Sequence, residues 1–108
     1  MPANPTNQGL QPLAEIDKLI HEPARLMILA TLYVVESADF LFVKTQTGLT
    51  RGNLSSHMSK LEDAGYIEIT KEFVDKIPRT LLRISEKGRS ALMDYTNNMK
   101  QVLDGLDG

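Results

Sequence analysis

Residues Leu49 to Ile67, LTRGNLSSHMSKLEDAGYI, constrain this 108-residue chain more than any other stretch. Leu54, Met58 and Leu61 recur at i, i+4 and i+7, which is one apolar stripe of a helix. Thr50 stands just before the stripe as an N-cap whose hydroxyl accepts from a first-turn N–H. Gly65 follows it, where a left-handed C-terminal residue costs little. At about 100° per residue, the opposite face carries Gly52, Ser56, Ser59 and Lys60, flanked by Asn53 and Ser55. That face is small, polar and free of carboxylates, whereas an ordinary solvated helix face mixes Glu with Lys. A helix that must lie close against a polyanion needs such a surface, so the stretch reads as a DNA-reading helix.

The remainder of the chain has to supply a core for this helix. Its length suits one domain, and 42% apolar with 24% charged residues is the make-up of a globular protein. No apolar run approaches the roughly 18 residues that cross a bilayer. The opening MPANPTNQGLQP lacks the basic and apolar segments of a signal peptide. The expectation is a cytoplasmic protein with no membrane partner. Without cysteine there is no disulfide framework, thiolate zinc site or thiol switch. The net charge of −2 is unevenly spread. Phe40–Leu61 holds Lys44, Arg51 and Lys60 with no acid, and Lys71–Arg83 holds Lys71, Lys76, Arg79 and Arg83 against Glu72 and Asp75. Those windows carry +3 and +2, which leaves −7 for the rest, so the chain can present a basic face on an acidic body.

Residues 1–9, rich in proline and asparagine, read as a mobile tail. Residues 10–104 read as one domain with terminal helices. Leu13, Ile16, Leu19 and Ile20 give helical spacing to Leu10–Ile20, and Pro23 starts a new helix after a break at His21-Glu22. Ala24–Val35 is the most apolar segment, expected to bury Leu26, Ile28, Leu29, Leu32 and Val35 on nearly all sides. Glu36–Asp39 reads as a polar connection ending in an N-cap, Asp39. A short helix over Phe40–Thr47 is expected to turn Phe40, Leu41 and Val43 inward and to stop at Gly48. Two helices joined by so tight a turn, the second with a polar outer face, make a helix-turn-helix.

After Gly65 the period changes to the alternation of strands, over Tyr66–Phe73 and again over Thr80–Ile84. Between them, Val74–Arg79 reads as a polar loop with a basic tip. Ser85 caps a last helix from about Glu86 to Leu103, whose stripe is Leu92, Tyr95, Met99 and Val102 or Leu103, with 104–108 fraying. The expected fold class is α+β, mainly helical: a winged helix-turn-helix with extra N- and C-terminal helices.

At this point the residues also match a family. PARLMILATL, GLTRGNLSSHMSKLEDAGYIEI and KIPRTLLRISEKGRSAL, together covering Pro23 to Leu92, resemble the small single-domain MarR- and ArsR-like winged-helix transcription regulators. The most specific pieces are Asn53–Met58 with Leu61–Tyr66, and Pro78-Arg79-Thr80 with Ser85–Arg89. The resemblance implies that the 51–64 helix enters the major groove of double-stranded DNA and that the 74–79 hairpin touches backbone or minor groove. Arg51, Asn53, Ser55, Ser56, Ser59 and Lys60 would then contact DNA, with Lys76 and Arg79 on the wing. Asn53 suits bidentate pairing with adenine and Arg51 or Arg79 with guanine, while serines more often meet phosphate. The resemblance further implies a homodimer reading a pseudo-palindrome, with the terminal helices as its contact. A third reading, which would modify the DNA-binding one, is that a small-molecule effector is sensed through a cleft at that interface.

Other chemistries find less support. His57 lies beside the Leu54/Met58 stripe and reads as a packing or phosphate-contacting residue. His21 has only Asp17 and Glu22 near it, too little for a metal site. Tyr33, Phe40, Phe42, Tyr66, Phe73 and Tyr95 occupy apolar positions and read as core, and the methionines as gap-filling. No phosphate-cradling glycine loop or activated nucleophile is present, so neither an enzyme nor a cofactor is expected. The competing reading is a winged helix that docks proteins, which has no need of a carboxylate-free helix face or a basic wing.

Overall fold

The computed structural model describes residues 12–107. Its elements are α1 (Pro23–Val35), β1 (Ser37–Asp39), α2 (Phe40–Thr47), α3 (Arg51–Asp63), β2 (Ile67–Val74), β3 (Ile77–Ile84) and α4 (Glu86–Asp107). The sheet is antiparallel with order β1-β3-β2. This is a winged helix-turn-helix. The core gathers Ile28, Leu29 and Leu32 of α1, Val43 of α2, Leu54, Met58 and Leu61 of α3, and Ile67, Leu82 and Ile84 of the sheet, with Leu92 and Tyr95 of α4. Each fully buried aliphatic side chain contributes about 1.5–3 kcal/mol. No helix among the described residues is long and apolar enough to cross a membrane.

Local chemistry sets the helix ends. The Glu22 carboxylate caps α1 by accepting from the Arg25 N–H at 2.8 Å, and that bond holds its pKa below the usual carboxylate value. Asp39 caps α2 through the Phe42 N–H at 2.8 Å, and Thr50 caps α3 through the Asn53 N–H at 3.1 Å. α2 ends at the left-handed Gly48. α3 ends in a Schellman motif: Gly65 has φ +80°, its N–H reaches the Glu62 carbonyl, and the Tyr66 N–H reaches the Leu61 carbonyl, both at 2.9 Å.

Several expectations are corrected. Leu10 and Gln11 lie outside the described residues, as does the 1–9 tail. From residue 12 onward the expected first helix is helical only over 12–14 and then breaks into turns. The cause is Asp17, whose carboxylate accepts from the Leu19 and Ile20 N–H groups and so competes with the helical pattern. The polar connection after α1 is β1, paired with Leu81–Arg83 of β3. It begins after Glu36, a non-glycine residue at φ +71° that closes α1 and accepts from the Ile84 N–H. α1 leaves one side open, with Val34 82% exposed and Val35 also exposed. Leu41 points outward at 61% exposure, since only Val43 and half-buried Phe40 of α2 reach the core. The six-residue wing loop shrinks to two residues: Asp75 and Lys76 both have positive φ, a type I′ turn whose twist suits a hairpin. Pro78 lies inside β3 opposite Phe73, and Phe73 is exposed instead of core. α4 continues as helix to Asp107 where fraying is expected.

The sheet and α4 are fastened at the end of α3. The Tyr66 carbonyl accepts from the Ser85 N–H at 3.0 Å, and the Ser85 hydroxyl both donates to the Gly65 carbonyl at 2.6 Å and caps α4 through the Gly88 N–H at 2.9 Å. Gly88 packs so closely that a Cβ there would stand 2.1 Å from the Tyr66 carbonyl oxygen. The Tyr66 hydroxyl donates to the Asp17 carboxylate. Burial, then that carboxylate's hydrogen bond and charge, push its pKa up to about 12.

Three outcomes follow. Gly88→Ala is expected to destabilise by about 3 kcal/mol, the upper end of ordinary overpacking, because backbone must move. Gly52→Ala, with nothing within 4 Å of the added carbon, is expected to stabilise by roughly 0.5–1 kcal/mol in thermal or urea unfolding. The raised Tyr66 pKa gives stability that is complete below about pH 10 and lost as pH rises toward 12, because only the neutral phenol can donate to Asp17. Urea midpoints between pH 9 and 12 should fall more steeply for the parent than for Tyr66→Phe.

Candidate nucleic-acid interface

Burying Leu54, Met58 and Leu61 leaves Arg51, Gly52, Asn53, Ser55, Ser56, Ser59 and Lys60 exposed on α3. These residues divide into two rows. Arg51, Ser55, Ser59 and then Glu62 run along the edge that lines a groove of about 670 Å³ between α3 and the hairpin. Lys71, Pro78, Arg79 and Thr80 form its other bank, and Phe40, Met58 and Ile69 contribute apolar surface. Asn53, Ser56 and Lys60 are exposed on α3 outside that groove. Lys76 stands apart from all of these, at the hairpin turn.

Two arginines of the groove are held by neighbours. The Arg51 guanidinium lies 5.1 Å from the centre of the Phe40 ring, an interaction worth about 0.5–1 kcal/mol at an exposed site. Arg79 is in register with Glu72 across the ladder. Its Nη1 lies 3.9 Å from Glu72 Oε2 and its Nε 3.7 Å from Asp39 Oδ2. Such exposed pairs are worth roughly 0–1 kcal/mol, so they orient the guanidinium without committing it. Arg79 is therefore a strand residue of the groove bank and not part of the hairpin tip, where the sequence pattern puts it.

His57 faces away from these rows. Its Nδ1 lies 3.2 Å from Arg25 Nη1 and 3.9 Å from Glu22 Oε1. A guanidinium can only donate, so Nδ1 is the acceptor in the Arg25 contact. The ring ties the back of α3 to the start of α1. His21 Nδ1 pairs with the Tyr95 hydroxyl at 2.9 Å. Among the described residues, no three His, Asp or Glu side chains come together as metal ligands.

Sequence reasoning does not find Lys71, Thr80 and Glu62 as groove residues. Lys71 is legible in principle, since alternation from Ile67 and Ile69 puts it on the same face as the core. Glu62 lies just beyond the carboxylate-free window yet shares the Arg51–Ser59 edge, so the groove carries an acid that the outer face of α3 lacks. Thr80 enters only because its partner across the ladder is Lys71.

Comparison with known proteins bears on the fold and the family. A family model described as "Winged helix DNA-binding domain" matches residues 24–103. An uncharacterized protein of Methanocaldococcus jannaschii is 33% identical over 90 residues, covering 83% of this chain and 98% of that protein. The structure of a transcriptional regulator homologue from Pyrococcus horikoshii OT3 matches with 34% identity and a TM-score of 0.84, covering 91% of this chain and 99% of that one. A MarR-family transcriptional regulator from Silicibacter pomeroyi shares the fold at 14% identity and a TM-score of 0.60, over 95% of this chain and 64% of that one. The helix, groove and hairpin described above, with a family match spanning α1 to most of α4, make this chain a member of the winged-helix DNA-binding domain family.

Proposed function

We propose that this chain is a transcriptional regulator that binds double-stranded DNA as a homodimer, with α3 in the major groove and the β2–β3 wing on the backbone or minor groove. The single observation that carries the reading is the groove itself, where Arg51, Ser55 and Ser59 on α3 face Lys71, Arg79 and Thr80 on the wing. Small hydroxyl side chains let the α3 backbone approach base edges, and the cations neutralise phosphate. Arg51, Asn53, Ser55, Ser56, Ser59 and Lys60 are the proposed DNA-touching residues of α3, with Lys76 and Arg79 from the wing. Asn53, exposed at the first turn, is the proposed base reader, since its amide matches the adenine edge.

The dimer reading rests on apolar surface away from the groove. Met93, Leu103 and Leu106 of α4 and Leu13 before α1 are all exposed. Residues 10–104 act in this proposal as one winged-helix unit whose terminal segments hold the twofold interface, with half-sites one helical turn apart, roughly 34–36 Å, or a multiple of it. A small-molecule effector would act by favouring one spacing of the two α3 helices over another.

Titrating salt against binding to random duplex DNA, and then to a selected site, tests the interface. Lys60→Ala and Arg79→Ala are each expected to weaken binding to all sequences and to lower the salt slope by about 0.9 for each phosphate that is no longer neutralised. Glu72→Gln, which removes one of the two carboxylates holding Arg79 and a repelling charge, should tighten it. Asn53→Ala should relax preference at one base pair at a cost of about 1–3 kcal/mol. Unchanged binding in all four would place the DNA-binding surface elsewhere. Sedimentation at tens of micromolar is expected to give a dimer, and a monomer there would remove the twofold reading.

A further inference from the structure

The wing ends in apolar residues that the fold does not bury. Phe73 is 76% and Ile77 65% exposed, Val74 is also exposed, and Pro78 stands opposite Phe73 across the ladder. The sheet residues that join the core stop at Ile69 and Leu82. A hairpin that only had to meet water would end in polar side chains, because an exposed apolar strand pair invites self-association.

The position of these residues says what they face. Side chains alternate along a strand, so Phe73 continues the row Ile67, Ile69, Lys71, and across the ladder Pro78 continues Ile84, Leu82, Thr80. The inner members of that row belong to the core, and Ile69, Lys71, Thr80 and Pro78 line the groove beside α3. Phe73 and Pro78 are thus the outer end of the surface that Arg51, Ser55 and Ser59 face. Two cations flank the pair: Lys71 lies two residues before Phe73 on the same row, and Lys76 is in the turn. Of the carboxylates in the hairpin's outer half, Glu72 is engaged by Arg79 and Asp75 sits in the turn. Asp39, also paired with Arg79, and Glu62 line the groove further in. An apolar pair framed by cations, continuous with the DNA-facing groove, matches a phosphate-walled minor groove better than an apolar protein surface.

We infer that Phe73 and Pro78 form an apolar wedge that enters the minor groove and unstacks a base step when the chain binds DNA, while Lys71 and Lys76 neutralise flanking phosphates. This rests on the DNA-binding reading above and adds to it a deformation of the duplex. Rings and prolines of this kind are what minor-groove proteins insert between bases, kinking the helix by about 20–90°. Part of the sequence preference would then come from how easily a step kinks, with pyrimidine–purine steps favoured at positions that no side chain reads by hydrogen bonding.

The test uses the full chain on its selected site, with end-labelled duplexes reporting bend by energy transfer and 2-aminopurine reporting unstacking. The parent is expected to bend DNA within the range of about 20–90° and to brighten 2-aminopurine at one step. Phe73→Ala should lose most of both signals while keeping the parent's salt slope and its melting temperature, since the ring is outside the core. Phe73→Trp should keep both signals. Lys76→Ala should keep the bend and lower the salt slope by about 0.9. A parent that binds without bending, or a Phe73→Ala variant that bends DNA as the parent does, overturns the wedge. A change in sedimentation of free Phe73→Ala also overturns it, by assigning the tip to an interface between copies. Failure of the parent to bind any duplex at low salt would bring down the DNA reading itself, and the wedge with it.

Discussion

The Tyr66 carbonyl is where α3, the β2–β3 hairpin and α4 are joined. It follows the left-handed Gly65 that ends α3, accepts from the Ser85 N–H beyond β3, and lies too close to Gly88 for any side chain there. Moving that point would tilt α3 against the hairpin and alter the width of the groove between them. Under the proposed reading such spacing matters, because an interaction at a phosphate or base edge falls off within an ångström or so of misplacement. The Ser85 hydroxyl, reaching Gly65 and Gly88 at once, makes the same joint from the side-chain direction.

The electrostatics of the groove are more balanced than the helix alone suggests. Arg51, Lys71 and Arg79 share the groove with Asp39 and Glu62, and Glu72 holds Arg79 from the side. Weak pairs of this kind keep an arginine extended while leaving its release easy. They also make affinity depend on exchange between carboxylate and phosphate partners, which is one way for a chain of net charge −2 to bind a polyanion without binding every polyanion equally.

Much of the architecture was legible in one dimension because its signals are local. The caps Asp39, Thr50 and Ser85 and the glycine stops at 48 and 65 act within a few residues, so their chemistry shows in the sequence. What failed was what depends on a partner distant in sequence. Residues 37–39 form a strand only because β3 has a free edge beside them. The Leu10–Ile20 pattern looked helical by spacing, yet Asp17 closes a turn there and holds the Tyr66 hydroxyl 49 residues away. Leu41 and Phe73 have core-like side chains at positions the fold leaves open, and periodicity over so few residues cannot tell the two cases apart.

By itself the sequence determined a helix with a carboxylate-free face, a hairpin after it, and thus the winged-helix class, because periodicity and capping are properties of neighbouring residues. Only the tertiary structure decided which of those residues face one another. It set Arg51, Ser55 and Ser59 across from Lys71 and Thr80, bound Arg79 to Asp39 and Glu72, and sent Asn53 and Lys60 outside the groove. It also left Phe73 exposed at the outer end of the row that lines the groove. The physical reason is that strand register and helix packing are fixed by burial summed over the whole core, which no single segment contains.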